Sequence, residues 1–316
     1  MKPYAVGVDV GGTTVKIGIF SKAGDLFKKW EIPTRTENNG QEILPDIAAS
    51  IRETLQDNGL SLEQVEGVGI DVPGAVLDSS VVNRAVNLGW GVVPVSTTLS
   101  ALIDGVRVEV CNDANAAALG EMWKGGGAGF DNIVMVTLGT GVGGGIILGG
   151  RILGGAAGAA GEIGHINVNE HESAPCGCGK CGHLEQYASA TGIANIAAKK
   201  LAEGKKDSSL KQYDEVTAKE VFDEAKKGDE LALEIVEEVT DILGRALGII
   251  SCVVDPEAFV IGGGVSKAGQ ILIDKVQEHY RKYAFHASEG AHFALAKLGN
   301  DAGMYGAVKM VLGAED

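Results

Sequence analysis

Three groups of residues in this chain have types and spacings suited to chemistry. The first is a set of glycine turns, each following an apolar, strand-like run. Gly11-Gly12 follows Tyr4–Asp9, the stretch from Gly139 to Gly150 follows Ile133–Leu138, and Gly262-Gly263-Gly264 follows Phe259–Ile261. Successive glycines let backbone N–H groups converge on an anion, and the missing side chains let phosphates come close. Asp9, at the end of its strand, is placed to hold Mg²⁺ through water beside the first turn. One such turn is an ordinary hairpin; three favour a phosphate ligand. The second group is Cys111-Asn112-Asp113-Ala114-Asn115, where a strand gives way to a helix. Phosphoryl transfer needs a group that accepts the proton of the attacking hydroxyl and aims its oxygen in line. Asp113 suits that task, with Asn112 hydrogen-bonding the acceptor; the alternative is that Asp113 only caps the helix. The third group is Cys176, Cys178 and Cys181, with His165 and His183 in reach. Two thiolates in Cys-x-Cys spacing with further Cys and His ligands fit tetrahedral Zn²⁺. Buried free thiols in a loop are the alternative.

Other chemistries are disfavoured. Gly139, Gly141 and Gly144 satisfy the dinucleotide pattern G-x-G-x-x-G, but that pattern requires a helix next. Here strand-like Gly145-Ile146-Ile147-Leu148 follows, and no Walker A pattern occurs anywhere. The formal net charge of −15, with no basic stripe, argues against nucleic acid and anionic membranes as partners. An anionic ligand must then be held locally, by backbone amides and a cation. The apolar runs are too short and too broken by Gly or charge to span a membrane. The N-terminal residues enter a strand pattern with no signal-peptide core, which places the protein in the cytosol. The five cysteines are therefore not expected to form disulfides.

The positioning elements follow from pattern. At 316 residues the chain has room for roughly two domains of about 150 each. Strands over Tyr4–Asp9, Thr14–Phe20 and Leu26–Ile32 form a meander, followed by a helix over Ile43–Asp57 and a strand over Val65–Ile70. A strand over Val106–Cys111 runs into a helix over Ala114–Trp123. The pattern then restarts: strand Ile133–Leu138, glycine turn Gly139–Gly144, returning strand Gly145–Leu148. The later part is helix-rich, with Leu184–Ala202, a capping box at Thr217-Ala218-Lys219-Glu220, Asp229–Ile250 and a closing helix around Met304–Leu312. Meander followed by helix–strand alternation, given twice, predicts two related α/β halves.

On these residues the chain resembles the ROK family of repressors and kinases. Asp9-Val10-Gly11-Gly12-Thr13 and Thr137-Leu138-Gly139-Thr140-Gly141 resemble its two phosphate motifs, and Asn112-Asp113 its catalytic pair. The resemblance implies an actin-like ATPase (ribonuclease H-like) α/β fold: two lobes around a cleft, ATP clamped between them, adenosine near Gly262-Gly263-Gly264. It implies a small lobe over 1–112, with a terminal helix at 301–316 packing back on it, and a large lobe over 113–300. Gly161-Glu162-Ile163-Gly164-His165 and the run from Cys176 to Glu185 resemble the family's zinc signature, C-x-C-G-x-x-G-C-x-E, with His165 as fourth ligand. Here His183 stands where the signature has its third cysteine, and Cys181 occupies a variable position. The expected ligands are thus His165, Cys176, Cys178 and His183, with Cys181 in place of His183 as the alternative. All four positions being filled by protein makes the zinc structural. By resemblance, Glu162, His165 and Glu185 are sugar ligands; Glu185 alone would read as a helix N-terminal acid. Pro73-Gly74 and Asn87-Leu88-Gly89-Trp90 resemble sugar-side segments. Asn87 is a hydroxyl ligand, while Trp90 walls the cleft or packs in the core; His171 is read as a surface residue. The implied activity is ATP-dependent phosphorylation of a hexose. Glucose is expected first, with N-acetylmannosamine, fructose and allose as rivals. Family repressors add an N-terminal DNA-binding domain, for which Asp9 leaves no room. Family likeness also implies a homodimer or a dimer of dimers.

Overall fold

The computed structural model describes residues 2–313. The elements, in chain order, are β1 (Tyr4–Val10), β2 (Thr14–Ser21), β3 (Leu26–Pro33), α1 (Ile43–Asp57), β4 (Val65–Val72), β5 (Ala75–Leu77), β6 (Val81–Arg84), α2 (Val95–Leu102), β7 (Val108–Asn112) and α3 (Asp113–Lys124). Then follow β8 (Ile133–Leu138), β9 (Val142–Leu148), β10 (Arg151–Ile152), α4 (Glu185–Ala188), α5 (Ala190–Glu203), α6 (Ala218–Lys226), α7 (Glu230–Val254), β11 (Ala258–Gly262), α8 (Gln270–Tyr283), β12 (His292–Leu295) and α9 (Ala302–Leu312). No helix among the described residues is long and apolar enough to cross a membrane.

The chain forms two compact units, one holding residues up to 131, 145–161 and from 298 onward, the other 132–144 and 162–297. The division expected at 112/113 therefore moves. Helix α3 belongs with the first unit because α9 lies against it so closely that a Cβ on Gly306 would meet the Ala116 carbonyl oxygen at 1.7 Å. The expected return of the terminal helix to the first unit is observed for Ala302–Leu312; residues 314–316 of that call lie outside the described ones.

In the first unit a sheet of order β3-β2-β1-β4-β7 has β1–β2 and β2–β3 antiparallel and β1–β4 and β4–β7 parallel. Its core is built from alternate residues of β1 and β2, such as Val6, Val8, Ile17 and Ile19, against Ile47, Ile51 and Leu55 of α1. Strand β4 is buried on both faces, because α9 covers the other side. That close approach demands glycine: a Cβ on Gly69 would stand 1.8 Å from the Ala307 carbonyl oxygen. Backbone cannot yield there as a side chain would. Gly69→Ala is expected to destabilise the protein by about 3 kcal/mol or more. Gly91→Ala, where an added Cβ has nothing within 4 Å, should shift urea unfolding by no more than about 0.5 kcal/mol. Equal effects from the two would refute the packing argument.

The second sheet has the order β10-β9-β8-β11-β12, with β8–β11 and β11–β12 parallel. Two sequence expectations change here. The glycine turn is shorter than Gly139–Gly144, since β9 already starts at Val142. Gly145 is a strand glycine, needed because a Cβ would lie 2.6 Å from the Ala118 Cβ. The single helix over Leu184–Ala202 is two, broken at extended Ser189, whose Oγ accepts from Gly192 N and caps α5. The capping box at Thr217 and Glu220 is present and opens α6.

Candidate active site

In the first unit the turn after β1 closes on itself. Gly11 N donates to Thr14 O at 3.0 Å, and Thr34 Oγ1 donates to Gly11 O at 2.7 Å. The Gly11 N–H is thus spent on the turn, while Gly12 and Thr13 are exposed. Asn87 is exposed beside that turn; a Cβ on Gly12 would lie 3.7 Å from the Asn87 Cβ. Trp90, by contrast, is core: it is 4% exposed and its indole N–H donates to Gly40 O at 3.1 Å. Of the two readings for Trp90, packing holds.

At the β7–α3 junction the question of which residue caps is settled by geometry. Asn112 Oδ1 accepts from Ala114 N at 2.9 Å and Asn115 N at 3.3 Å, and its Nδ2 donates to Gly74 O at 3.1 Å. Asn112 is the cap, and it ties the Pro73-Gly74 segment to the helix start. Asp113 does not cap the helix; its Oδ1 accepts from the next amide, Ala114 N, at 2.8 Å. Asp113 keeps contact with solvent, yet it sits low in surrounding protein. Desolvation is the main cause that raises its pKa, the Ala114 amide opposes it, and the charge of Asp9 adds to it.

Two charged residues of this region escaped the sequence reading. Lys16 Nζ lies 3.1 Å from Asp9 Oδ2 and 3.1 Å from Asn300 O. Its signal was the β1–β2 pairing, which sets Asp9 opposite Lys16. Asp71 is wholly buried. Burial first, then the charges of Asp9 and Asp113, raise its pKa well above the carboxylate range.

In the second unit, Gly139 N donates to Gly141 O at 3.0 Å, closing the second turn, and Gly139 O accepts from Ala190 N at the start of α5. Thr137, next to last in β8, pairs with Gly262 at the end of β11, so the Thr140 turn and Gly262-Gly263-Gly264 leave the same sheet end. Gly263 has φ +83°, and a Cβ there would strike Leu138 backbone at 2.5 Å. Beside it lies a cavity of about 360 Å³ bounded by Thr217, Lys219 and Phe222 on one side and Gly264, Val265 and Lys267 on the other.

The metal cluster assembles from two segments. The ligand atoms of His165, Cys176, Cys178 and His183 all lie within 4.8 Å of one another. Cys176 Sγ is 2.9 Å from Cys178 Sγ and 3.1 Å from His183 Nδ1, and the two Nδ1 atoms are 3.2 Å apart. A tetrahedral Zn²⁺ holds its ligand atoms roughly 3.3–3.8 Å apart, so a small outward shift seats the ion. The mutual hydrogen bond of the thiols raises the pKa of Cys176 and lowers that of Cys178, so one thiolate forms early. Cys181 turns away, its Sγ 3.5 Å from Ser173 O; the two-Cys, two-His set is the one brought together. His165 can serve both tasks expected of it. Its Nδ1 faces the cluster, 4.0 Å from Glu185 Oε1, while Nε2 points to Glu162 Oε2 at 3.9 Å. Glu185 also borders the second turn, where a Cβ on Gly141 would meet its Oε2 at 2.7 Å. His171 is exposed, as expected.

The sequence matches the ROK family over residues 5–314. It is 45% identical over 308 residues to a glucokinase of Halalkalibacterium halodurans, covering 96% of this chain and 93% of that protein. It is 38% identical over 316 residues to a glucokinase of Thermotoga maritima, covering 97% and 96%. Among solved structures, a ROK family glucokinase from Streptomyces griseus in complex with glucose and AMPPNP superposes with a TM-score of 0.71 at 32% identity, over 97% of this chain and 98% of that one.

Proposed function

The chain belongs to the ROK family, has its actin-like ATPase fold and is a sugar kinase, and from that premise we propose that it transfers the γ-phosphoryl group of ATP to the 6-hydroxyl of glucose. The observation that carries the mechanism is Asp113: Asn112 takes over the capping, leaving a carboxylate of raised pKa at the start of α3. In the proposed step Asp113 accepts the hydroxyl proton as the oxygen attacks the γ-phosphorus. The bond from that phosphorus to the bridging oxygen breaks, and ADP leaves with the electron pair. Asn87, Asn112, Asp113, Glu162, Glu185 and the Nε2 side of His165 are the proposed partners of the sugar hydroxyls. The turns at Asp9–Thr13 and Thr137–Gly141 are the proposed phosphate sites, and the cavity beside Gly264 is the proposed adenosine site. Lys16 adds a cation where the phosphates gather. Mg²⁺ bound with ATP would offset phosphate charge, and Asp9, already engaged by Lys16, suits holding it through water rather than directly. Zinc at His165, Cys176, Cys178 and His183 would fix the loop that carries Glu185 into α4. The named glucokinase relatives support glucose over other hexoses.

An ADP-release assay across glucose, N-acetylmannosamine, fructose and allose tests the substrate. Glucose is expected to give the highest kcat/KM. Water can reach Asp113 as readily as a sugar hydroxyl, so an always-competent site would waste ATP. Sugar binding must therefore complete the site, and ATP hydrolysis without sugar is expected to run orders of magnitude below the kinase rate. A higher kcat/KM for another hexose overturns the glucose assignment. Inactivity on every sugar, with salt-dependent DNA binding, overturns the kinase reading in favour of a repressor.

A further inference from the structure

Asp71 is a carboxyl in a place where carboxyls are rarely found. It lies in β4, is 0% exposed, and neither of its oxygens has a hydrogen-bond partner of good geometry. Strand register fixes its neighbours: Asp9 on β1 to one side and Cys111 on β7 to the other. From α9, Gly303 opens a cradle for it; a Cβ there would lie 3.0 Å from Asp71 Oδ2. A carboxylate buried without a cation or donors is strongly disfavoured, and two adjacent carboxylates cannot both stay ionised. One proton between Asp71 and Asp9 resolves both costs. Asp9 is the member of the pair that has a cation beside it, Lys16 at 3.1 Å. The proton then belongs to Asp71, in keeping with the direction of its pKa. Strand register sets Asp9 directly across from Asp71 on the neighbouring strand, so Asp9 is the acceptor available to that proton.

We infer, resting on the kinase reading above, that Asp71 is a positioning residue for the nucleotide half of the reaction. As a neutral acid it donates to Asp9, which in turn holds Lys16, and Lys16 is anchored to Asn300 O ahead of α9. Being fully buried, Asp71 touches no substrate. It acts by fixing where the Asp9–Lys16 pair stands when phosphates arrive.

The test compares Asp71→Asn, whose amide still donates to Asp9, with Asp71→Ala, which cannot. Kinetics are measured with ATP and glucose varied separately, Mg·AMPPNP affinity by calorimetry, and Tm by thermal melting. In Asp71→Ala the KM for ATP and the Kd for Mg·AMPPNP should rise about 10-fold or more, the usual scale for losing a hydrogen bond to a charged group. The glucose KM should stay within about 2-fold, because the loss is confined to the nucleotide half. Tm should fall by no more than about a few degrees, since one hydrogen bond and a small buried volume are lost. Asp71→Asn should restore the ATP parameters. Failure of Asp71→Asn equal to that of Asp71→Ala overturns the donor role and marks Asp71 as an anionic ligand. Unchanged nucleotide affinity in Asp71→Ala, or a joint loss of both substrates with a Tm lowered further than that, overturns positioning. A wild-type protein without kinase activity would refute the reading of function instead, while Mg·AMPPNP calorimetry on the variants still decides the role of Asp71.

Discussion

Asp113→Asn is expected to lower kcat by at least about 10²-fold, the scale of losing a general base. The change is nearly isosteric and the amide can still hydrogen-bond, so sugar affinity should move far less than kcat. The pH dependence gives a second signature. Burial is the main cause of the raised pKa of Asp113, so the base becomes protonated at a higher pH than a free aspartate would. As pH falls through that raised value, kcat/KM of the wild type should fall with it, and Asp113→Asn should lose this acid limb. Linkage gives stability the opposite sign. A group whose folded pKa lies above its unfolded pKa supports the fold below the unfolded value, and that support is lost as pH rises through the folded value. At neutral pH the asparagine variant should therefore melt no lower than the wild type while being nearly inactive. Retention of most activity, at unchanged pH profile, removes Asp113 from the mechanism.

Cys178→Ala is expected to release the metal and to abolish sugar binding together. Metal analysis of wild-type protein purified without added zinc should find about one ion per chain, the expectation for one closed four-ligand site. Such sites contribute binding energy on the order of 10 kcal/mol, so removing one thiolate should act on occupancy almost as a switch. The loop from Cys176 to His183 leads straight into α4, whose first residue is Glu185. Without the ion that loop loses its anchor, and the carboxylate loses its aim. Cys181→Ser is the discriminating control: its sulphur points to Ser173 O rather than into the cluster, so metal and activity should both persist. A metal-free wild type of full activity would end the structural role, and metal loss in Cys181→Ser would reinstate Cys181 as a ligand.

Much of the site was legible because it rests on local chemistry. Glycine turns after apolar strands, a polar pair at a strand–helix junction and Cys-x-Cys spacing each reflect what a few consecutive residues can do. The same is true of helix Ile43–Asp57 and strand Ile133–Leu138, whose limits agree with the expectation because composition and turn signals bound them on both sides. Helix Gln270–Tyr283 was periodic yet overlooked, since its N-cap is Gly269 and no capping side chain announces it. Strand His292–Leu295 is four residues long, and only pairing with β11 makes it a strand.

What the sequence alone singled out was the chemistry on offer: glycine turns after strands, a candidate base and a cluster of thiols and imidazoles. Tertiary structure decided how those residues divide the work. It made Asn112 the cap and freed Asp113, because only the folded junction shows which oxygen reaches the helix amides. It chose His183 over Cys181, because the ring nitrogen turns inward and the sulphur turns away. It placed Trp90 in the core and moved α3 into the first unit, because α9 returns from the far end of the chain to pack on it. It brought Asp71 beside Asp9 from a distant part of the chain. Spacing along a chain encodes local backbone conformation and short-range ligand geometry. Strand register and burial, which set the neighbours and the pKa of a carboxyl, exist only once distant segments pair.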